Sequence, residues 1–217
     1  MAAVTGLVLV GASGLAREAT AVAVLLQHDG PLHVVDDDPL RWGTLHGLVP
    51  VLGGVDLVTE LVDHEVVLAL GKGRLRRRIA TRLAMVGLDP ARYGTLLHPR
   101  LVLPGSCHVG AGTIALDGVV LTADVEVGQH VVLMPHVTLT HGCTVADYAT
   151  LCAGVSLGGG VEVGEAAYLG MNASVREGVR IGADATVGMG SVVLEDVPAG
   201  QTWVGVPARP IRTGVRT

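Results

Sequence analysis

Two hydrophobic patterns divide the chain. Stepping by six from Leu103, the positions read Leu103, Val109, Ala115, Leu121, Val127, Leu133 and so on to Val193, aliphatic in every case except for the smaller Ala115. Two residues before each of these stands a small or β-branched residue, as at Cys107, Thr113, Val119, Cys143 and Ala149. Glycine often follows the aliphatic, as at Gly110, Gly128, Gly158, Gly164 and Gly170. A six-residue period held for this long predicts a solenoid of short strands and tight corners, with three hexads to a triangular coil of eighteen residues. The aliphatic fills the interior, the small residue lies beside it, and glycine is expected to relieve strain at the corners. Periodicity does not give the hand of the coil.

Before the repeat the period changes. "GLVLVGASG" reads as an apolar strand ending in a glycine-rich turn, and "LAREATAVAVLLQ" as a helix. "LHVVDDDP" and "EVVLALGKG" read as second and third strands, and "RLRRRIATRLAMVG" as a second helix stopped by Gly87. Strands alternating with helices predict a small Rossmann-like parallel βαβ domain. The expected division is an α/β domain over residues 1–97 and an all-β parallel helix over residues 98–217.

Composition narrows the function. Of 217 residues, 49% are hydrophobic, 2% are aromatic, none is Phe and 31 are Gly, which suits narrow, regular packing. The formal net charge of −5 and the lack of a basic stripe argue against nucleic acid as a partner. The apolar start has no basic n-region and is broken by Arg17 and Glu18, which argues against a signal peptide or a membrane span. Three cysteines without paired spacing fit a reduced, cytoplasmic protein.

Candidate chemistry falls in two places. The turn Gly11-x-x-Gly14 stands between strand and helix, where backbone N–H groups suit a phosphate. Asp36 and Asp37 follow at the end of the second strand, where a carboxylate accepts from a ribose or base; a solvated acidic turn before Pro39 is the alternative. In the repeat, the eighteen-residue coil puts Ala123, His141, Gly159, Glu177 and Glu195 in one column. Gly159 is expected to leave a hollow beside His141 for a thioester, with its N–H aimed at an oxyanion. Asp124 lies diagonally one coil earlier, and either orients His141 or decorates a solvent face. Cys143 shares the interior phase, which argues against an acyl-enzyme, and Cys152 is expected to face outward. Cys107 and Cys143 stand two coils apart, roughly 9.6 Å, too far for a disulfide.

The combination of "GASG", "DD" after the second strand, "LLHP" at the junction and hexads ending in "VGVPAR" resembles the sialic-acid O-acetyltransferase (NeuD-type) family, which includes N-acetyltransferases of UDP-4-amino-sugars. The resemblance covers nearly the whole chain. It implies a left-handed β-helix, a homotrimer, acetyl-CoA as co-substrate between neighbouring β-helices, a nucleotide sugar on the N-terminal domain, and no metal. The family's His-acid-Cys element falls on His141-Gly142-Cys143, making His141 the implied general base, and Gly142 departs from the acid. The nucleotide-sugar motif falls on Ser13, Gly14 and Leu15, on Asp36 and Asp37, and on Gly71; Leu15 departs from the family's histidine. Thr150, Gly159, Met171 and Met189 are implied along the CoA groove, and Arg209 near a CoA phosphate.

The implied reaction is direct acetyl transfer to an amino or hydroxyl group of a nucleotide-linked sugar. The alternatives are O-acylation of a non-nucleotide acceptor, a non-catalytic sugar-nucleotide-binding trimer, and a γ-carbonic-anhydrase-like zinc site. The last fits the spacing of His136 and His141 but meets Arg100 where a third ligand belongs, and catalytic zinc needs three protein ligands.

Overall fold

The computed structural model of the chain describes residues 6–28 and 30–211. Strands β1 (Gly6–Val10), β2 (Leu32–Val35) and β5 (His64–Leu68) form a parallel sheet in the order β2-β1-β5. Between β2 and β5 runs an unforeseen hairpin of β3 (Leu45–His46) and β4 (Val49–Pro50). Its turns rest on Gly43 and Gly47, both left-handed, and its two-residue strands carry no period a sequence pattern can detect. Helix α1 (Gly14–Leu25) covers one face of the sheet, packing Leu15, Ala19 and Val22 on Leu7, Leu9 and Val67. Helix α2 (Gly73–Met85) covers the other, packing Ile79, Ala80 and Leu83 on Val8, Val10 and Leu68.

From β6 (Leu96–Leu97) onward the chain is a left-handed parallel β-helix with sheets of five, eight and five strands. Paired residues are eighteen apart, as Val132 with Thr150 and Thr138 with Ser156, so each coil is three hexads. Leu133, Leu139, Leu151, Leu157 and Leu169 are fully buried in its interior. Every sixth residue from Gly112 to Gly190 has a left-handed backbone, whether glycine or, as at Asp124, His130 and Tyr148, not.

That position corrects the expected role of the glycines after each aliphatic. Gly158 and Gly170 are outside the left-handed region; a Cβ there would lie 2.6 Å from the next coil's Glu177 and Met189 amides. They serve close coil-to-coil approach, not corner strain. The cysteines also differ in part from expectation. All three are free and Cys143 is buried as its phase requires, but Cys152 is buried and Cys107 is the partly exposed one. The Cys152 thiol meets the Tyr168 hydroxyl, and burial pushes the thiol pKa up.

The two parts share a seam. The α1 cluster continues into the β-helix through Leu96, Ile114, Leu116 and Val132. On the other side α2 lies so close that a Cβ on Gly73 would collide with the Tyr148 carbonyl. Arg76, fully buried, spans the gap. Its Nε donates to the His130 carbonyl (2.8 Å), Nη1 to Leu70 (2.6 Å), and Nη2 to the carbonyls of Tyr148 (2.7 Å) and Ala149 (2.9 Å) and to Thr150 Oγ1 (2.9 Å). Burial lowers its pKa to about 10, which leaves it charged at neutral pH. Arg74 and Arg77 add outer ion pairs to Asp184 and Glu165. Beneath Arg76, the buried His130 ring stacks on Tyr148 (5.2 Å) and meets Tyr93 edge-on (4.4 Å).

Two outcomes test the seam. Arg76→Met should lower unfolding stability by at least about 3 kcal/mol in denaturant melts, because it strands several buried acceptors that now receive charged hydrogen bonds. An unchanged midpoint would show the clamp to be dispensable. The second concerns pH. Burial, then the Arg76 charge, lowers the His130 imidazole to about 4. The unfolded chain protonates this group near about 6.5, so between those values the unfolded state binds more protons. Stability should therefore fall as pH drops from about 6.5 to about 4. The slope of melting temperature against pH should flatten in His130→Phe, and equal slopes in both proteins would remove His130 as its source.

Candidate functional site

His141 sits on an exposed corner between Thr140, whose Oγ1 donates to the Leu157 carbonyl (2.8 Å), and Gly142, which takes the left-handed position. Its ring leans toward the following coil and lies against Gly159, where an added Cβ would be 2.6 Å from Nε2. The space over Gly159 is thus not the expected hollow: the imidazole fills it. The Gly160 N–H donates to the His141 carbonyl (2.9 Å) and is committed, whereas the Gly159 N–H has no partner among the described residues. Within one chain Asp124 does not reach His141. Its backbone N–H donates to Ser106 Oγ (3.0 Å), its side chain is exposed, and no carboxylate pairs with His141 among the described residues.

The implied CoA-groove residues separate. Met171 and Met189 lie on successive coils and are exposed. Thr150 is buried in the seam, its Oγ1 donating to the Gly71 carbonyl (2.9 Å) while accepting from Arg76, so it belongs to the domain junction. Arg209 approaches Glu195 at 3.5 Å. Arg100 pairs with Asp117, and no group of three His, Cys, Asp or Glu side chains converges among the described residues.

The glycine-rich turn is built from several segments. Gly11 is left-handed, and its N–H donates to the Val35 carbonyl (2.7 Å). Ser13 precedes α1 but does not cap it; its Oγ donates instead to the Ala69 carbonyl (2.7 Å). Among the described residues the first amides of α1 therefore have no side-chain cap, and they present the positive end of the helix. The hairpin reaches back to this turn. Arg41 Nη1 donates to the Ala12 carbonyl and His46 Nε2 contacts the Ser13 carbonyl (2.8 Å). Neither residue carries a sequence signal, since their partners lie 29 and 33 positions away. A Cβ on Gly14 or on Gly71 would meet nothing within 4 Å, so both border open space. Leu15 does not face that space: it is buried against the sheet.

Asp36 shapes the turn, accepting from the N–H groups of Ala12 (2.6 Å) and Asp38 (2.9 Å). Asp37 accepts from the Val55 N–H (3.1 Å) and pairs with Arg82 (2.6 Å). Beside them, at the carboxyl ends of β1 and β2, opens a cavity of about 160 Å³ walled by Val10, Gly11, Val55, Leu75 and Ile79.

Comparison with known proteins matches both halves. The PglD N-terminal domain family matches residues 6–83, and the bacterial transferase hexapeptide (six repeats) family residues 160–195. Among solved structures, PerB from Caulobacter crescentus, in complex with CoA and GDP-perosamine, is 30% identical, with a TM-score of 0.86 over 96% of this chain and 98% of that one. The acetyltransferase domain of PglB from Neisseria gonorrhoeae FA1090, in complex with acetyl coenzyme A, is 27% identical, with a TM-score of 0.87 over 95% and 98%. WeeI from Acinetobacter baumannii AYE is 25% identical, with a TM-score of 0.79 over 95% and 100%. Comparison with curated proteins returns no match.

The stacking of His141 on Gly159 can be tested directly. In Gly159→Ala the new methyl must displace the ring, so the His141 imidazole resonances should move while those of the other eight histidines stay. An unmoved His141 signal would show that the ring does not rest on Gly159 in solution.

Proposed function

Because the chain belongs to the NeuD/PglD-type family of hexapeptide-repeat acetyltransferases, we propose that it moves an acetyl group from acetyl-CoA to an amino group of a nucleotide-linked sugar. The observation that carries this reading is the whole-length likeness to PerB, whose structure holds CoA and GDP-perosamine together. The site geometry supports it: an uncapped helix N-terminus and a small cavity on the α/β domain suit a nucleotide, and an exposed histidine on the β-helix suits a proton acceptor. The two roles divide near residues 97 and 98.

Transfer is direct. The neutral amine attacks the thioester carbonyl and forms the N–C bond. His141 takes the proton from the attacking nitrogen, the C–S bond breaks, and the proton passes to the departing CoA sulfur. No carboxylate reaches the His141 ring among the described residues, so the ring is held by its corner and by Gly159. The free Gly159 N–H is the candidate donor to the oxyanion. Cys143, buried in the β-helix interior, takes no part.

His141 and Asp124 on one corner of the coil, and Met171 and Met189 on another, are all exposed on one chain, which supports an assembly in which neighbouring β-helices cover these corners. A homotrimer, with acetyl-CoA between neighbours, meets that need. Among the described residues no helix is long and apolar enough to cross a membrane, and the three free cysteines support a reducing, cytoplasmic setting.

His141→Ala should lower turnover by about two to four powers of ten while acetyl-CoA affinity holds. Thiol release from acetyl-CoA, followed with amino and hydroxyl sugar nucleotides, provides the assay. Near-native turnover in the variant would remove His141 from the mechanism. No thiol release with any acceptor would favour a sugar-nucleotide-binding trimer without catalysis.

A further inference from the structure

The cavity beside Asp36 and Asp37 has aliphatic walls and three charged groups, the third being Arg78. At about 160 Å³ it is smaller than the roughly 300–1,000 Å³ typical of a whole ligand site, and so matches one planar ring system. Its charges are not equivalent. Both oxygens of Asp36 already receive backbone N–H groups. Asp37 receives one N–H and one guanidinium hydrogen bond, leaving about two of its roughly four lone-pair sites open. Helix α2 carries Arg74, Arg76, Arg77, Arg78 and Arg82. Four of these bond to carboxylates or carbonyls, whereas Arg78 has no hydrogen bond or ion pair among the described residues. An exposed, unengaged guanidinium therefore borders a pocket whose other charges are the partly buried Asp36 and the exposed Asp37.

We infer that this cavity is the base subsite of the nucleotide-sugar site and that it selects guanine, with Asp37 accepting from N1–H and N2–H and Arg78 donating to O6 and N7. The inference rests on the nucleotide-sugar reading above. Guanine alone among the common bases sets two donors side by side on one edge, which is what a carboxylate with two free acceptor sites can use. It also presents the O6/N7 acceptor pair that a guanidinium reads bidentately. Uracil and thymine have a single N–H flanked by carbonyls, and these would face the carboxylate with like polarity. Adenine and cytosine offer an amino group beside a ring nitrogen lone pair, which a carboxylate repels. Arg78 is thus a specificity-determining residue, set apart from the proton-transfer chemistry at His141.

Calorimetric titration of the full chain with GDP, UDP, CDP, ADP and inosine diphosphate at one ionic strength tests this. GDP should bind about tenfold or more tighter than the pyrimidine nucleotides or ADP, and inosine diphosphate, lacking the N2 amino group, should fall between. Arg78→Gln should shrink the preference for GDP over UDP to within a few-fold and leave acetyl-CoA affinity unchanged. UDP, CDP or ADP binding tighter than GDP would overturn the guanine assignment while leaving a nucleotide-sugar site in place. A full GDP preference in Arg78→Gln would remove Arg78 as the reader. Binding of acetyl-CoA with none of the nucleotides would overturn this inference together with the nucleotide-sugar reading.

Discussion

One buried guanidinium holds the molecule in register. Arg76 is sealed between α2 and the β-helix, and none of its five partners is a carboxylate. Burying a charge is costly unless its hydrogen bonds are met, and here carbonyls from four residues and one hydroxyl meet them. Lysine would not serve: only the planar fork reaches acceptors on both sides of a seam with fixed directions. The consequences spread from that point. The charge helps hold His130 neutral beneath it. It also sets α2, and α2 supplies one wall of the cavity beside Asp36 and Asp37 through Leu75, Arg78 and Ile79. The same helix sends Arg82 to Asp37 and Asp56. A shift of α2 would open the cavity and unpair those acids together.

The β-helix imposes a second constraint, and the candidate base obeys it. Each corner requires one left-handed residue per hexad, and the residue before it projects outward. Rings then settle wherever a neighbouring coil lacks a Cβ. His130 and His136 lie over Gly112 and Gly118 of the preceding coil, while His141 lies over Gly159 of the following one. The first of these is buried beside the seam and has lost its basicity; His141 stays in contact with solvent. The same packing device thus yields one buried imidazole and one open to solvent, and exposure separates them.

What the sequence reveals follows from range. The hexads are legible because each position repeats its environment, so an eighteen-residue coil and a buried Cys143 can be read from period alone. The α/β half is legible because its strands are continuous apolar runs bounded by glycine. Contacts between the halves have no period. The basic run of α2 resembles a solvated face, yet Arg76 finds acceptors 54 and 74 residues away. Thr150 occupies an outward phase, but the seam with α2 covers it. Cys152 is likewise buried, and its thiol meets the Tyr168 hydroxyl of the next coil.

The two departures from the family's motif have physical readings of the same kind. Position 15 points into the core of the α/β domain, where Leu15 packs against the sheet. An imidazole reaches the glycine-rich turn all the same, because the hairpin brings His46 to the Ser13 carbonyl. Position 142 is a left-handed corner. Glycine adopts that backbone without strain, whereas an acid there must tolerate it, as Asp124 and Asp184 do at their own corners. Gly142 therefore lowers the strain of the corner and leaves His141 without an adjacent carboxylate. The ring's orientation is left to a neighbouring coil, and the glycine at 159 becomes as much a part of the site as the histidine it carries.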